Sequence, residues 1–281
     1  MPTDFLAQAE DIWLIVAAIL YLGCTVLSVI ATIRRQNRFT ASLTLLGLAV
    51  AANTISIALR WERLGHGPYV DLRETLTSGL WGYHLALFLA CLYFKRVRPA
   101  LTPVLVLLQI MVIWTLLASA NDSLLPVTYD TYWLTVHIFF GKVFIGCLVV
   151  ALGLALVVLI RKRGLQGNTP SLFQFASMPS SGSIDELAFR FVLTGFVFET
   201  FMLISGAIWA QDAWGRYWDW DPLEVWSFLT WISVALYLHL RITRRPTPEI
   251  GAVMVTSIFI LAFLTFFGLP FISEAAHKGA V

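Results

Sequence analysis

Eight apolar runs, each long enough to cross a bilayer and joined by short polar turns, decide what this chain can fold into. A hydrocarbon core about 30 Å thick takes about 20 residues of helix. The runs predict helices at about 11–33, 41–60, 77–94, 101–120, 131–160, 188–210, 225–242 and 249–270. The strands of a membrane barrel would alternate apolar and polar residues, and these runs do not. The expected fold is an all-α integral membrane protein, a bundle of about eight transmembrane helices. It reads as a single polytopic domain over residues 1–281. Only 13% of the residues are charged and 58% are hydrophobic, against about 25% charged in a soluble domain. A soluble enzyme, a secreted disulfide scaffold and a disordered chain are excluded together. Cys24, Cys91 and Cys147 each sit inside an apolar run with no CxxC spacing, and read as packing residues. The first run follows Asp4, Glu10 and Asp11 and is long enough to span, so it reads as a membrane helix and not as a leader.

Cations orient the bundle. Four turns carry three each: Arg34, Arg35, Arg38; Lys95, Arg96, Arg98; Arg161, Lys162, Arg163; and Arg241, Arg244, Arg245. With eight spans these turns all lie on one side, the cytoplasmic one, and both termini are external. The opposite face carries most of the acidic residues. The long cytoplasmic connection, about 164–187, is rich in Ser, Pro and Gly.

The external loop at about 209–226 is the unusual feature. It holds Trp209, Trp214, Trp218, Trp220 and Trp226, and Trp231 follows shortly after. Interfacial anchoring accounts for scattered tryptophans such as Trp13 and Trp114; it does not require this density beside Asp212, Asp219 and Asp221. The run Asp221-Pro222-Leu223-Glu224 has the form of a helix start with a capping box. A rigid start would hold Trp218, Trp220 and Trp226 as a shelf for a large flat apolar ligand.

An imidazole within a membrane is a functional hypothesis by default. His137 falls in the outer part of the fifth span, and His239 falls near the inner end of the seventh. His84 is in the outer half of the third, His66 in the external loop after the second, and His277 in the external tail. From Trp226 to His239 the helix descends about 20 Å, so the imidazoles stand at two levels. There is no HxxxH and no Cys partner for zinc; haem iron takes imidazole ligands. Each has a bland alternative. His239 could snorkel beside Arg241, His137 could bond a neighbouring helix, and His84 could be a satisfied polar group of the bundle. His66 could cap a turn before Pro68, and His277 on chemistry alone is an ordinary tail residue. Lys142 and Glu199 fall at similar depth and are expected to pair.

The segments WGRYWDWDPLEVWSFLTW and ALYLHLR resemble the WWD motif and following helix of the CcsA/ResC cytochrome c biogenesis proteins. These belong to the wider haem-handling superfamily that includes CcmC and CcmF. YWLTVHIFFGKV and GLPFISEAAHKG resemble the segments with the two external haem-ligand histidines, which fall on His137 and His277. The transmembrane histidine falls on His239, and the early GHxP segment covers His66, Pro68 and Glu74. The loop departs from the family in being more acidic, with Asp219 and Asp221, and in carrying Leu223 in place of a common lysine.

The residue reading and the resemblance together give a cofactor-binding set of His137, His277, His239, Trp209, Trp214, Trp218, Trp220, Asp221, Trp226, His66 and His84, with His84 contributed by the residue reading alone. Iron would be ligated by His137, His277 and His239, and there would be no acid–base catalyst. It implies haem b as the transported substrate or ligand, moved across a bacterial inner (cytoplasmic) membrane and presented for attachment to an apocytochrome c with a CxxCH motif. The partners implied are a CcsB/ResB-like membrane protein, apocytochrome c, haem and the lipid bilayer, and no nucleic acid. Synthase (haem lyase) activity would be exercised together with the CcsB/ResB-like partner. The rival is a haem-binding membrane chaperone or regulatory protein of the same superfamily without ligation activity. A quinone-reactive subunit would need histidines paired at matching depths, which this distribution does not favour.

Overall fold

The computed structural model describes residues 2–122, 125, 130–166 and 179–268. Eight α-helices follow one another: α1 (Pro2–Ile33), α2 (Phe39–Leu64), α3 (Leu72–Tyr93), α4 (Leu101–Leu117), α5 (Tyr132–Gln166), α6 (Ser181–Trp214), α7 (Pro222–Thr243) and α8 (Pro248–Phe263). A 3-10 turn over Lys95–Ala100 leads into α4, and a π-helical turn over Leu264–Gly268 closes α8. With those turns counted into α4 and α8, the described residues hold eight helical segments long and apolar enough to cross a membrane. The all-α class and the number of spans agree with the hydropathy reading.

The ends differ, because polar residues at membrane borders continue helices when their charges are paired. Helix α1 begins at Pro2 instead of about residue 11, and α2 runs on to Leu64. Helix α2 stops at Gly65, whose positive φ of 77° suits a residue without a Cβ. Helix α3 starts early because Asp71 caps it, its carboxylate accepting the Glu74 amide at 2.6 Å. Helices α5 and α6 reach Gln166 and back to Ser181, so the connection between them is shorter than 164–187. Helix α4 stops at Leu117, short of residue 120.

Internal contacts divide the chain into two compact units, α1–α4 and α5–α8, where the sequence reads as one domain. In the first, α1 and α3 each pack against both α2 and α4. In the second, α5 packs on α6 and α8, and α7 packs on the same two helices.

One end of the first unit, where α1 starts, α2 ends and α3 begins, is a buried ion network. The Arg60 guanidinium donates to Glu74 (2.8 Å), Glu10 (3.0 Å), Asp71 (2.7 Å) and the Asn121 carbonyl (2.7 Å). Arg63 donates to Glu10 and Asp122, and Arg73 pairs with Asp11. The second Glu74 oxygen accepts the Val70 amide at 2.8 Å, tying the loop between α2 and α3 to the same network. A planar guanidinium with several donors can serve three carboxylates at once, which an ammonium cannot do with the same geometry. Removing one partner of a buried ion pair typically costs about 3–5 kcal/mol. Arg60→Ala should therefore lower the unfolding temperature in detergent sharply, with Arg60→Lys between it and the parent. An unchanged melting curve for Arg60→Ala would show that the network does not hold the unit.

Candidate functional site

The tryptophan-rich segment is mostly helical, which corrects the expectation of a loop over 209–226. Trp209 and Trp214 stand on the last turns of α6, Trp226 stands on the first turn of α7, and only 215–221 is irregular. Gly215, at φ 76°, ends α6. Asp221 and Glu224 form the capping box that the sequence pattern predicts, with Asp221 accepting the Glu224 amide at 3.0 Å and Glu224 accepting the Asp221 amide at 3.3 Å. The same Glu224 oxygen also accepts the Asp219 amide at 2.8 Å. Trp220 is thus held from both sides by one carboxylate. Its φ is +60°, a left-handed conformation that costs a bulky residue of order 1–3 kcal/mol. Its side chain is 73% exposed, so the strained backbone holds an indole out instead of packing it. Arg216 pairs with Asp219 and stiffens the turn further.

The aromatic residues fall into two clusters, not one shelf. Trp218 meets Trp220 edge-on at 5.7 Å and Phe228 at 6.2 Å. Phe228 stacks on Trp231, which stacks on Phe196 and donates its indole N–H to Thr200 at 2.9 Å. The Trp218 indole nitrogen is buried with no hydrogen-bond partner among the described residues. The second cluster joins His137 to α6: its ring lies parallel to Trp209 at 6.4 Å, and Trp209 meets Trp214 edge-on at 4.9 Å.

His137 is held by a hydrogen bond from Nδ1 to the Met202 carbonyl at 2.9 Å. A carbonyl only accepts, so Nδ1 carries the proton and Nε2 carries the lone pair. Histidines that ligate metals usually have this support on the other ring nitrogen. Clustered indoles, a buried indole N–H donor and an oriented imidazole are chemistry that a flat iron macrocycle can use.

His239 is exposed on α7, on the same stripe as Trp226, Leu229, Ile232 and Leu236. His66 and His84 belong to the first unit. His66 bonds the Gly67 carbonyl through Nδ1 at 2.9 Å. His84 is fully buried, stacked on Tyr21 at 3.8 Å, with Nδ1 bonded to the Leu80 carbonyl at 2.9 Å. That is the setting of a packed core histidine. His277 lies outside the described residues.

The expected Lys142–Glu199 pair does not form. Glu199 is fully buried and neither carboxylate oxygen has a hydrogen-bond partner among the described residues. The reason is angular. Gly141 faces α6 through Met202, and the next residue, Lys142, is turned about 100° further round the helix. Ion pairs form elsewhere, as between Arg241 of α7 and Asp185 of α6 at 2.5 Å. Arg241 reads from the sequence only as one of the inner cations. Glu224 was legible as a cap, but its second bond to Asp219 was not, because it depends on the path of the turn.

Glu224→Ala should release both amides flanking Trp220. We expect faster proteolysis at 215–221 and red-shifted tryptophan fluorescence, with Glu224→Gln intermediate because it keeps an acceptor. Parent-like fluorescence and cleavage in Glu224→Ala would show that the turn holds itself.

The family model described as cytochrome C assembly protein matches residues 69–277. The chain is 28% identical over 241 residues to cytochrome c biogenesis protein CcsA of Chlamydomonas reinhardtii, covering 83% of this chain and 67% of that protein. It is 30% identical over 247 residues to CcsA of Prochlorococcus marinus (strain MIT 9312), covering 80% of each. Among solved structures, the cytochrome c haem lyase CcmF superposes with a TM-score of 0.69 at 17% identity, covering 99% of this chain and 48% of that one. The chain thus spans about half the length of CcmF, and that likeness concerns the fold.

Proposed function

The chain belongs to the cytochrome c assembly protein family, and from that premise we propose that it carries haem b across a membrane and presents it for covalent attachment to the CxxCH thiols of an apocytochrome c. The observation that carries this reading is the oriented imidazole of His137, Nδ1 on the Met202 carbonyl, beside Trp209 and Trp214. The haem is cargo. Its iron would be held at an outer station by His137, with His277 as the opposite ligand on the family resemblance. The Trp218–Trp220 cluster would orient the macrocycle so that its vinyl edge is offered to the peptide. Asp221 acts through the capping box that positions those indoles. Any rate enhancement on this scheme is positional, since holding two reactants in register removes much of the entropic barrier.

His239 would form the inner station, near the side where the basic turns lie. Its imidazole is exposed on α7, so the opposite ligand would come from another membrane chain. A CcsB/ResB-like partner fits that requirement. The membrane is a bacterial cytoplasmic membrane and the tryptophan loop faces outward, a reading that rests on the four triply basic turns.

Four measurements test this. Purified with haem, His137→Ala should lose its low-spin bis-imidazole spectrum, and added imidazole should restore it by entering the vacant position. A parent-like spectrum in His137→Ala would remove it from the ligand set. His239→Ala should deplete haem at both levels, because the outer station fills from the inner one. Normal outer loading in that variant would show that haem does not pass His239. Replacing Trp218 and Trp220 with Ala should reduce outer haem while leaving membrane insertion intact. In a host lacking its own maturation system, the chain with a partner should yield holocytochrome c. Haem binding without maturation in that setting would favour the chaperone reading.

A further inference from the structure

The contact between α5 and α6 contains a reciprocal pair of notches. On α5, His137 and Gly141 are one turn apart on the same face; on α6, Met202 and Gly206 are one turn apart on theirs. The helices run antiparallel, so each glycine receives the other helix's large residue. A Cβ on Gly206 would stand 2.6 Å from His137 Nδ1 and 2.8 Å from Cε1. A Cβ on Gly141 would stand 3.2 Å from the Met202 sulfur. Lower on the same seam, a Cβ on Gly195 would stand 3.4 Å from Cys147 and Phe144. The Met202 carbonyl that accepts His137 Nδ1 at 2.9 Å also accepts the Ser205 hydroxyl at 3.1 Å.

We infer that Gly206 and Gly141 are positioning residues for His137: the paired notches let the imidazole sink onto the Met202 carbonyl, which sets both its rotamer and its tautomer. This rests on the proposal that His137 ligates haem iron, and it adds the device that aims the ligand. An imidazole on a flexible side chain can present either nitrogen. Seated between α6 and the Trp209 ring, it presents Nε2 alone as the lone-pair atom. The two glycines are unequal. At Gly206 a methyl group meets a ring already held by a hydrogen bond, so the ring must leave. At Gly141 it meets the end of a flexible thioether, which can give way.

The test uses the full chain in detergent. Gly206→Ala should lose the low-spin signature and retain haem about ten-fold less well, the lower end of what loss of a ligand's supporting shell costs. Gly141→Ala should change retention much less. Added imidazole should restore the spectrum of His137→Gly, and restore it less well when Gly206→Ala is added, because the free ring meets the same methyl group. If Gly206→Ala keeps the parent spectrum and retention, or if imidazole rescues the double variant as well as His137→Gly alone, the notch does not hold the ring's place. Should Gly206→Ala fail to fold, the 15N spectrum of His137 in the haem-free parent decides. The proton on Nδ1 supports the inference, and the proton on Nε2 overturns it. If the parent carries no low-spin haem, or if His137→Ala keeps it, the functional reading fails instead, and the tautomer measurement still decides the notch.

Discussion

Lipid gives two apolar helices no hydrophobic reason to associate, and the second unit depends on how α5 and α6 meet in spite of that. Association in a bilayer rests on close packing and on hydrogen bonds across the contact. Gly141, Gly195 and Gly206 provide the first. The bond from His137 to the Met202 carbonyl provides the second. Both act at the same place, so the packing of the scaffold and the aim of one imidazole are a single property. A looser seam would not only weaken the unit; it would let the ring turn. The first unit solves the same problem by charge: Arg60 gathers carboxylates from α1, from α3 and from the residue that caps α3.

The turn before α7 stores strain in a small space. Trp220 takes a backbone conformation that glycine would take more readily, and it does so with its indole mostly exposed. Packing of that indole cannot be what stabilises the conformation. The stabilisation comes from Glu224, which accepts the amides on both sides of it, and from the capping box at the start of α7. An exposed indole held at a fixed angle is poised to gain contact area from a flat ligand without first losing freedom, which is the energetic content of preorganisation.

The legibility of all this in the sequence was uneven for physical reasons. Hydropathy reports length and composition, so the eight spans could be counted. It does not report whether a border charge is paired, so hydropathy alone makes α1, α2 and α6 too short. The Asp221–Glu224 cap is a local pattern and was readable. The Gly206 notch was not, because its meaning depends on a histidine far away in the chain that meets it only once α5 and α6 are packed. The failed Lys142–Glu199 pair marks the same boundary. Equal depth follows from counting residues, but facing direction depends on which side of α5 the glycines select. The division into α1–α4 and α5–α8 leaves no mark in composition either, since both halves are equally apolar helices.

His239 follows from these constraints rather than from its own contacts. An imidazole facing outward from a helix in a membrane meets either lipid, where its polar nitrogens are costly, or another protein. It lies on the stripe of α7 that carries Trp226, Leu229, Ile232 and Leu236, and those side chains are exposed as well. For an ordinary lipid-facing stripe the polar residue at its end would be a burden without a return. The burden is relieved if a second membrane helix covers the stripe and offers the imidazole a partner. Under the proposed function, that partner would share a haem with it. One face of α7 would then run from the inner station up to the indoles at its outer end. The lateral contact that completes the inner site would also close the apolar path between the two levels.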